Sequence, residues 1–104
     1  MKIWVDDIRP APAEYIWCQC TNDALRLITA NINDIETIDL DHDMGDTFGG
    51  DAIKILQELE RLCHRFTFYP SKIEKINFRL HSANPVGVAN MRAIIQKNGW
   101  REVK

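Results

Sequence analysis

Apolar residues gather in five short segments of the chain, and turn-forming residues separate these segments. They are rich in isoleucine, valine, tryptophan, tyrosine and phenylalanine, which is typical of buried β-strands. The pattern therefore predicts strands at residues 2–6, 14–18, 35–40, 75–81 and 100–103.

In three places between the strands, apolar residues recur every three or four positions, which predicts amphipathic helices. The clearest helix covers residues 50–64, where charged residues lie opposite the apolar ones. A second follows Thr21, which we expect to be its N-cap. A third begins at Pro85, with Asn84 as its cap, and ends at about Lys97.

The alternation of strands and helices favours a largely parallel sheet covered on both faces. Only residues 9–13, with two prolines, join the first two strands, and such a link is too short for an ordinary crossover helix. Either the first helix of a flavodoxin-like fold is missing, or this strand pair is arranged differently. We predict an α/β three-layer sandwich with five mostly parallel strands in the order 2-1-3-4-5.

Length and composition narrow the possible classes of protein. The 104 residues form one domain, 1–104, without a linker or an internal repeat. With 13 basic and 15 acidic residues the net charge is −2, so we expect no general nucleic-acid-binding surface. No apolar run approaches the roughly 20 residues of a membrane span, and the N-terminus has no signal-peptide pattern. We therefore expect a cytoplasmic protein without membrane contact.

Acidic residues directly follow two of the predicted strands, Asp6 and Asp7 after the first and Asp41 and Asp43 after the third. Ligands of open parallel sheets bind beyond the carboxyl ends of the strands, and neighbouring strands lie about 4.8 Å apart. Carboxylates this close repel one another unless a proton or a cation intervenes, and oxygen ligands suit Mg²⁺ or Mn²⁺. Asp6, Asp7 and Asp43 are therefore candidate metal ligands. The alternative is that these aspartates only form turns.

His42 and His81 stand among polar residues at two of the predicted strand ends. Histidine has an unperturbed pKa near 6.5, so it can both give and take protons at neutral pH. Two histidines in such positions indicate acid–base chemistry, although each could instead be a structural hydrogen-bonding group.

Three further features predict a phosphate-sized pocket at the same edge. Arg9 can grip an oxyanion through its planar guanidinium, and the helix beginning at Pro85 presents free backbone amides. Ser82 is a candidate hydrogen-bond donor rather than a nucleophile, and Asn84 could contact a ligand or only cap the helix. The remaining candidates lie further along that helix and are Asn90 and Arg92.

Three ordered motifs carry a resemblance to a known family. They are Trp-Val-Asp-Asp-Ile-Arg-Pro-Ala-Pro at 4–12, Leu-Asp-His-Asp-Met-Gly at 40–45 with glycines at 49 and 50, and His-Ser-Ala-Asn-Pro-Val-Gly at 81–87 with Asn-Met at 90–91. Together they resemble the cyclic-phosphate processing receiver domain, a compact relative of the response-regulator receiver. The resemblance implies a receiver-like fold and the processing of a cyclic phosphate on an RNA end or a nucleotide derivative.

The comparison with receivers also suggests residue roles. Receivers have paired acids after strand one, a phosphoacceptor aspartate after strand three and a serine or threonine after strand four, and the matching residues are Asp6, Asp7, Asp41 and Ser82. The chain departs from receivers because it lacks the first and last helices and the lysine–proline pair after strand five. The two histidines are additions that phosphoacceptance does not require.

Our hypothesis is a small phosphoesterase that opens a cyclic phosphate. Catalysis would rest on His42 and His81, sharing the general base and acid roles, together with Asp41, while Arg9 and helix amides would stabilise the developing charge. The partner would be a small phosphorylated ligand or an RNA end, with Mg²⁺ or Mn²⁺ as a candidate cofactor. The alternative is a non-enzymatic receiver or phospho-ligand-binding module with Asp41 as the phosphoacceptor.

Overall fold

The computed structural model describes residues 1–45 and 49–104. The predicted helix and strand positions hold to within a few residues at each boundary. In this part of the chain the elements are β1 (Lys2–Val5), β2 (Tyr15–Cys18), α1 (Thr21–Ala30), β3 (Thr37–Leu40), α2 (Ile53–Arg65), α3 (Tyr69–Ile73), β4 (Asn77–Leu80), α4 (Pro85–Lys97) and β5 (Arg101–Glu102).

The strands form one five-stranded sheet in the order β2-β1-β3-β4-β5. Every neighbouring pair is parallel, which confirms the predicted flavodoxin-like order. The register places Val5, Leu40 and Leu80 side by side on β1, β3 and β4. The residues that follow these three strands therefore emerge at one edge of the sheet.

Alternate residues of the strands separate the two faces of the sheet. Ile3, Ile38 and Phe78 are fully buried in one apolar cluster with residues of α1, α2 and α4. Right-handed crossovers in this strand order place α1, α2 and α4 on the same face of the sheet. Helix α2 packs against both α1 and α4. Burial of this face, at about 25 cal/mol per Å² of apolar surface, is the main source of stability.

Residues 6–14 pass over the opposite face without forming a helix. Nine extended residues can span about 30 Å, and a four-residue strand is about 13 Å long. The segment is therefore long enough to lead from the end of β1 back to the start of β2. The indole N–H of Trp4 donates to the backbone oxygen of Arg9 at 2.9 Å, and the Trp4 ring packs edge-on against Tyr15. The first strand pair is thus parallel, and the first receiver helix is absent, as predicted.

Within residues 1–45 and 49–104 no helix follows β5 either. The side chains on the second face are therefore contacted by loop residues and by one another. No helix in the described ranges is long and apolar enough to traverse a lipid bilayer.

One local expectation was wrong, and one short helix was missed. Thr21 does not cap α1 with its side chain; Cys20 is the N-cap, and the Thr21 hydroxyl donates instead to the Gly50 backbone oxygen at 2.7 Å. Helix α3 was not predicted because five residues are too few for a visible periodicity, and Ile73 alone buries its side chain there. The cap by Asn84 is confirmed, since its Oδ1 accepts from the Gly87 backbone N–H at 3.0 Å.

Candidate functional site

The backbone fixes three of the predicted site residues at the edge of the sheet. The amide of Asp6 donates to Cys18, that of Asp41 to Val5 and that of His81 to Leu40, at 3.1, 2.9 and 3.0 Å. These bonds extend the pattern of the sheet by one residue beyond each strand. Asp6, Asp41 and His81 therefore sit on a rigid frame, with their side chains on the face away from the helices.

The ring of His81 is enclosed by two carboxylates and an indole. Its Nδ1 lies 2.6 Å from Asp39 Oδ1, and its Nε2 lies 2.9 Å from Asp6 Oδ2. The ring stacks on Trp4 with 3.8 Å between centroids, and only 8% of the side chain is exposed. An ionised carboxylate can only accept, so the ring satisfies both partners only when both nitrogens carry a proton.

Asp39 was not among the predicted site residues. It is fully buried on β3 and contacts the Arg79 guanidinium at 2.9 Å in addition to His81. The sequence carried a signal for it, because a charged residue stands there between the apolar Ile38 and Leu40. The register of the strands adds Arg79 at the paired position on β4. Buried carboxylates are rarely tolerated without such partners.

Asp6 is held by the turn that follows β1. Its Oδ1 accepts from the backbone N–H groups of Ile8 and Arg9 at 2.9 and 2.8 Å. Burial raises the pKa of Asp6, but these two bonds and the contact with His81 outweigh it, so the pKa lies below its ordinary value. Asp6 is therefore a fixed anion whose oxygens are already well occupied.

Asp6, Asp7 and Asp41 form an acidic cluster, with one carboxylate oxygen of each lying within 4.8 Å of the others. The donor set fits a hard divalent cation such as Mg²⁺, which prefers oxygen ligands. Asp41 is less occupied than Asp6, because its Oδ1 accepts one described backbone N–H, from His42, whereas Asp6 Oδ1 accepts two. Gly45 makes room for Asp7, because a Cβ at this position, where φ is +57°, would lie 2.7 Å from Asp7 Oδ2.

Asp43 does not join this cluster, although it was a predicted metal ligand beside Asp6 and Asp7. It lies instead with His42 and Asp51, whose potential ligand atoms are also within 4.8 Å of one another. Its Oδ1 lies 2.8 Å from His42 Nδ1 and accepts from Asn84 Nδ2 at 3.1 Å. The hydrogen bonds from His42 and from Asn84 hold the pKa of Asp43 below its ordinary value.

His42 packs against the first turn of α4. A Cβ on Gly87 would lie 2.4 Å from His42 Cγ, so glycine is needed for this contact. The backbone N–H of His42 donates to Asp41 Oδ1 at 2.8 Å, which links the histidine to the acidic cluster. Among residues 1–45 and 49–104, His42 Nε2 has no hydrogen-bond partner, in contrast to both nitrogens of His81.

The predicted phosphate-binding residues divide into two groups. Arg9 lies at the edge, with its side chain 51% exposed and one guanidinium nitrogen donating to the His81 backbone oxygen at 3.1 Å. Ser82 and Asn84 also lie there, and the Ser82 hydroxyl oxygen accepts from the Asn84 amide at 3.1 Å. No closed pocket lies among the described residues, so this edge is an open surface.

The candidates further along α4 are less closely tied to the edge. Asn90 is exposed. Arg92 forms a two-pronged ion pair with Glu102 of β5, with both N–O distances at 2.8 Å. Its guanidinium is thereby engaged away from the strand ends.

A comparison with protein families gives one match. The family described as the cyclic-phosphate processing receiver domain matches residues 1–97. No curated protein and no solved structure matches the chain.

Proposed function

Because the chain belongs to the cyclic-phosphate processing receiver domain family, we propose that it hydrolyses a cyclic phosphate ester at the edge formed after β1, β3 and β4. The observation that supports hydrolysis most directly is the pair of His42 and Asp43. The carboxylate accepts the Nδ1 proton at 2.8 Å, which leaves Nε2 as the basic nitrogen. The same arrangement prepares the histidine of a catalytic triad for proton transfer.

In the reaction we propose, His42 Nε2 takes a proton from water as the water oxygen bonds to phosphorus. One ester P–O bond of the ring then breaks, and the imidazolium of His42 returns the proton to the leaving oxygen. Water is the only co-reactant, and the product is a phosphate monoester. Proton transfer of this kind typically contributes 10²–10⁴-fold to the rate.

His81 takes a different role from His42 in this scheme. Because its two ring nitrogens are occupied by the carboxylates of Asp6 and Asp39, it orients Asp6 rather than exchanging protons with the substrate. The exposed Arg9 guanidinium and the Val86 amide would bind the phosphoryl oxygens. The other amides expected to be free at the start of α4 are not available, because Pro85 has no N–H and the N–H groups of Gly87 and Val88 donate to Asn84. Asp7 and Asp41 would hold a divalent cation, which supplies polarisation of a phosphoryl oxygen when bound.

The test is incubation of the pure protein with nucleoside 2′,3′-cyclic phosphates, with Mg²⁺ or with a chelator. We expect a nucleoside monophosphate with the ring opened, resolved from the substrate by chromatography. Absence of turnover of every nucleoside 2′,3′-cyclic phosphate under both conditions would reject the proposal.

A second candidate function rests on the acidic cluster itself. Asp6, Asp7 and Asp41 match the acidic positions of receivers, and their oxygens lie close together. A non-enzymatic module would become phosphorylated on Asp41 when given a small phosphodonor and Mg²⁺. Mass spectrometry would detect the added phosphoryl group, and its absence from Asp41→Asn would identify the acceptor.

A further inference from the structure

The sheet face that carries no helix among the described residues has a distinct set of side chains. We call it the cationic face and define it by Lys2, Tyr15, Trp17, Arg79 and Arg101, which the register places on the same side of neighbouring strands. Trp17 is 38% exposed and the Arg79 side chain 45% exposed. Arg101 is exposed as well, and Lys2 and Tyr15 are half-buried.

Among the strand residues that point to this side of the sheet, the exposed charges are all positive. The acidic strand residue on this side is Asp39, which is fully buried and paired with His81 and Arg79. Lys2 lies 5.7 Å from the centre of the Tyr15 ring, and Arg101 contacts the neutral side chain of Asn77 at 3.3 Å. The chain as a whole has a net charge of −2, so this concentration of positive charge comes from topology rather than composition.

The cationic face continues into the proposed catalytic edge. The indole N–H of Trp17 donates to the backbone oxygen of Asp6 at 2.7 Å, which anchors the exposed ring beside the acidic cluster. Arg79 is linked to the same edge through Asp39, which contacts both Arg79 and His81. From β2 to β5 the face extends over four strand spacings, or about 19 Å.

An exposed aromatic ring beside basic side chains, on a sheet face without helices, is an arrangement that binds single-stranded nucleic acid by base stacking and by phosphate contacts. A 2′,3′-cyclic phosphate requires neighbouring ribose hydroxyls, so a polymer ending in one is RNA. Resting on the proposed function, we propose that the cationic face binds the last nucleotides of a single-stranded RNA whose cyclic phosphate lies at the edge. A base stacks on Trp17, and Lys2, Arg79 and Arg101 contact backbone phosphates.

The experiment measures fluorescence anisotropy of a 5′-labelled oligoribonucleotide at several salt concentrations. One form ends in a 2′,3′-cyclic phosphate and the other in a linear 3′-phosphate, so binding is measured whether or not the ring is opened. We expect the double variant Lys2→Ser, Arg101→Ser to bind roughly tenfold more weakly. Its salt slope should fall by about 1.4, which is about 0.7 for each lost phosphate contact. Lys97→Ser, on α4 at the other side of the sheet, should leave both quantities unchanged.

A matched pair at Trp17 separates stacking from the indole hydrogen bond. Trp17→Phe and Trp17→Leu both lose the bond to Asp6, but only phenylalanine keeps an aromatic surface. We expect the leucine variant to bind at least about fivefold more weakly than the phenylalanine variant. Equal affinities of the two variants, together with an unchanged salt slope in the lysine–arginine double variant, would overturn the proposal.

The outcomes also distinguish this proposal from the proposed function. Variant-sensitive binding of both oligonucleotides without any turnover would support the cationic face and reject hydrolysis. Turnover of mononucleotides without binding of either oligonucleotide would overturn the RNA proposal and leave hydrolysis in place. Sedimentation tests a second copy of the chain as the occupant: if the double variant dissociates a dimer and leaves RNA binding unchanged, the RNA proposal is overturned.

Discussion

His81 has a carboxylate at each ring nitrogen and an indole against its face, whereas His42 has a carboxylate at one nitrogen and the first turn of α4 against its ring. The first arrangement occupies both ring nitrogens, and the second leaves one nitrogen able to exchange a proton. Two histidines that emerge from the same sheet edge therefore suit different tasks. The number and position of carboxylates around an imidazole, rather than its place after a strand, decide what the histidine can do.

The largest expected difference between the histidines concerns stability. His81→Ala leaves Asp6 and Asp39 buried without their shared partner, and breaking a buried pair typically costs 3–5 kcal/mol. His42→Ala removes a contact with the exposed Asp43 and the packing of a side chain that is 13% exposed, so we expect a smaller loss of about 1–2 kcal/mol. Urea unfolding of both variants gives the two free energies. Equal losses would contradict the distinction between a histidine with two buried carboxylate partners and one with a single exposed partner.

The next prediction moves His42 without removing it. Alanine at position 87 would normally stabilise a helix by roughly 0.5–1 kcal/mol relative to glycine. Here its Cβ would meet the His42 ring, so we expect no gain in stability and a fall of about 10² in kcat, the effect of a displacement of about 1 Å. Val88→Ala, at the neighbouring position of α4, is the control. A Gly87→Ala variant that is both more stable and fully active would show that the position of His42 is unimportant.

A smaller effect should follow when the partner of His42 is changed. Asp43→Asn keeps the shape of the side chain but removes the carboxylate that accepts the Nδ1 proton. Because Asp43 is 63% exposed, we expect a loss of about tenfold in kcat, well below that seen for a buried triad aspartate. Asp51→Asn, which alters another acid near His42, is the matched comparison in the same assay. Similar rates in both variants and wild type would remove Asp43 as the orienting group.

The smallest effect is the dependence of stability on acid. The pKa of Asp6 lies below its ordinary value because backbone hydrogen bonds and His81 outweigh the opposing effect of burial. In acid the unfolded chain therefore binds more protons at Asp6 than the folded chain does. The stabilisation from Asp6 is complete above its unfolded pKa of about 3.9 and is lost as the pH falls through its folded pKa. Asp6→Asn should flatten the acid side of a stability profile measured by urea unfolding between about pH 2 and pH 6. An unchanged slope would contradict the assigned network.

Much of the fold could be predicted because it depends on local patterns. Apolar segments identified the strands, and their alternation with helices indicated the order of the sheet. The meeting of Asp6, Asp41 and His81 followed from the rule that parallel strands end at one edge. Helix α3 was not predicted because five residues are too few to show the apolar periodicity of a helix.

Other features depend on contacts between residues distant in sequence. Pairing of His81 with Asp39 requires the register of β3 and β4, and the neighbourhood of Asp43 depends on its hydrogen bond to Asn84. The cationic face could not be predicted from composition for a similar reason, because a net charge of −2 does not tell which charged residues lie on the same face. The expectation of no general nucleic-acid-binding surface concerned the whole chain, and the binding proposed here is local.

The most direct test of the central claim compares the turnover of nucleoside 2′,3′-cyclic phosphates by wild type, His42→Ala and His64→Ala. His64 is an exposed histidine on α2, so it controls for the loss of an imidazole. We predict that His42→Ala lowers kcat by roughly 10²–10⁴-fold while His64→Ala retains the wild-type rate. A folded His42→Ala variant that turns over these substrates at the wild-type rate would contradict the assignment of His42 as the acid–base group.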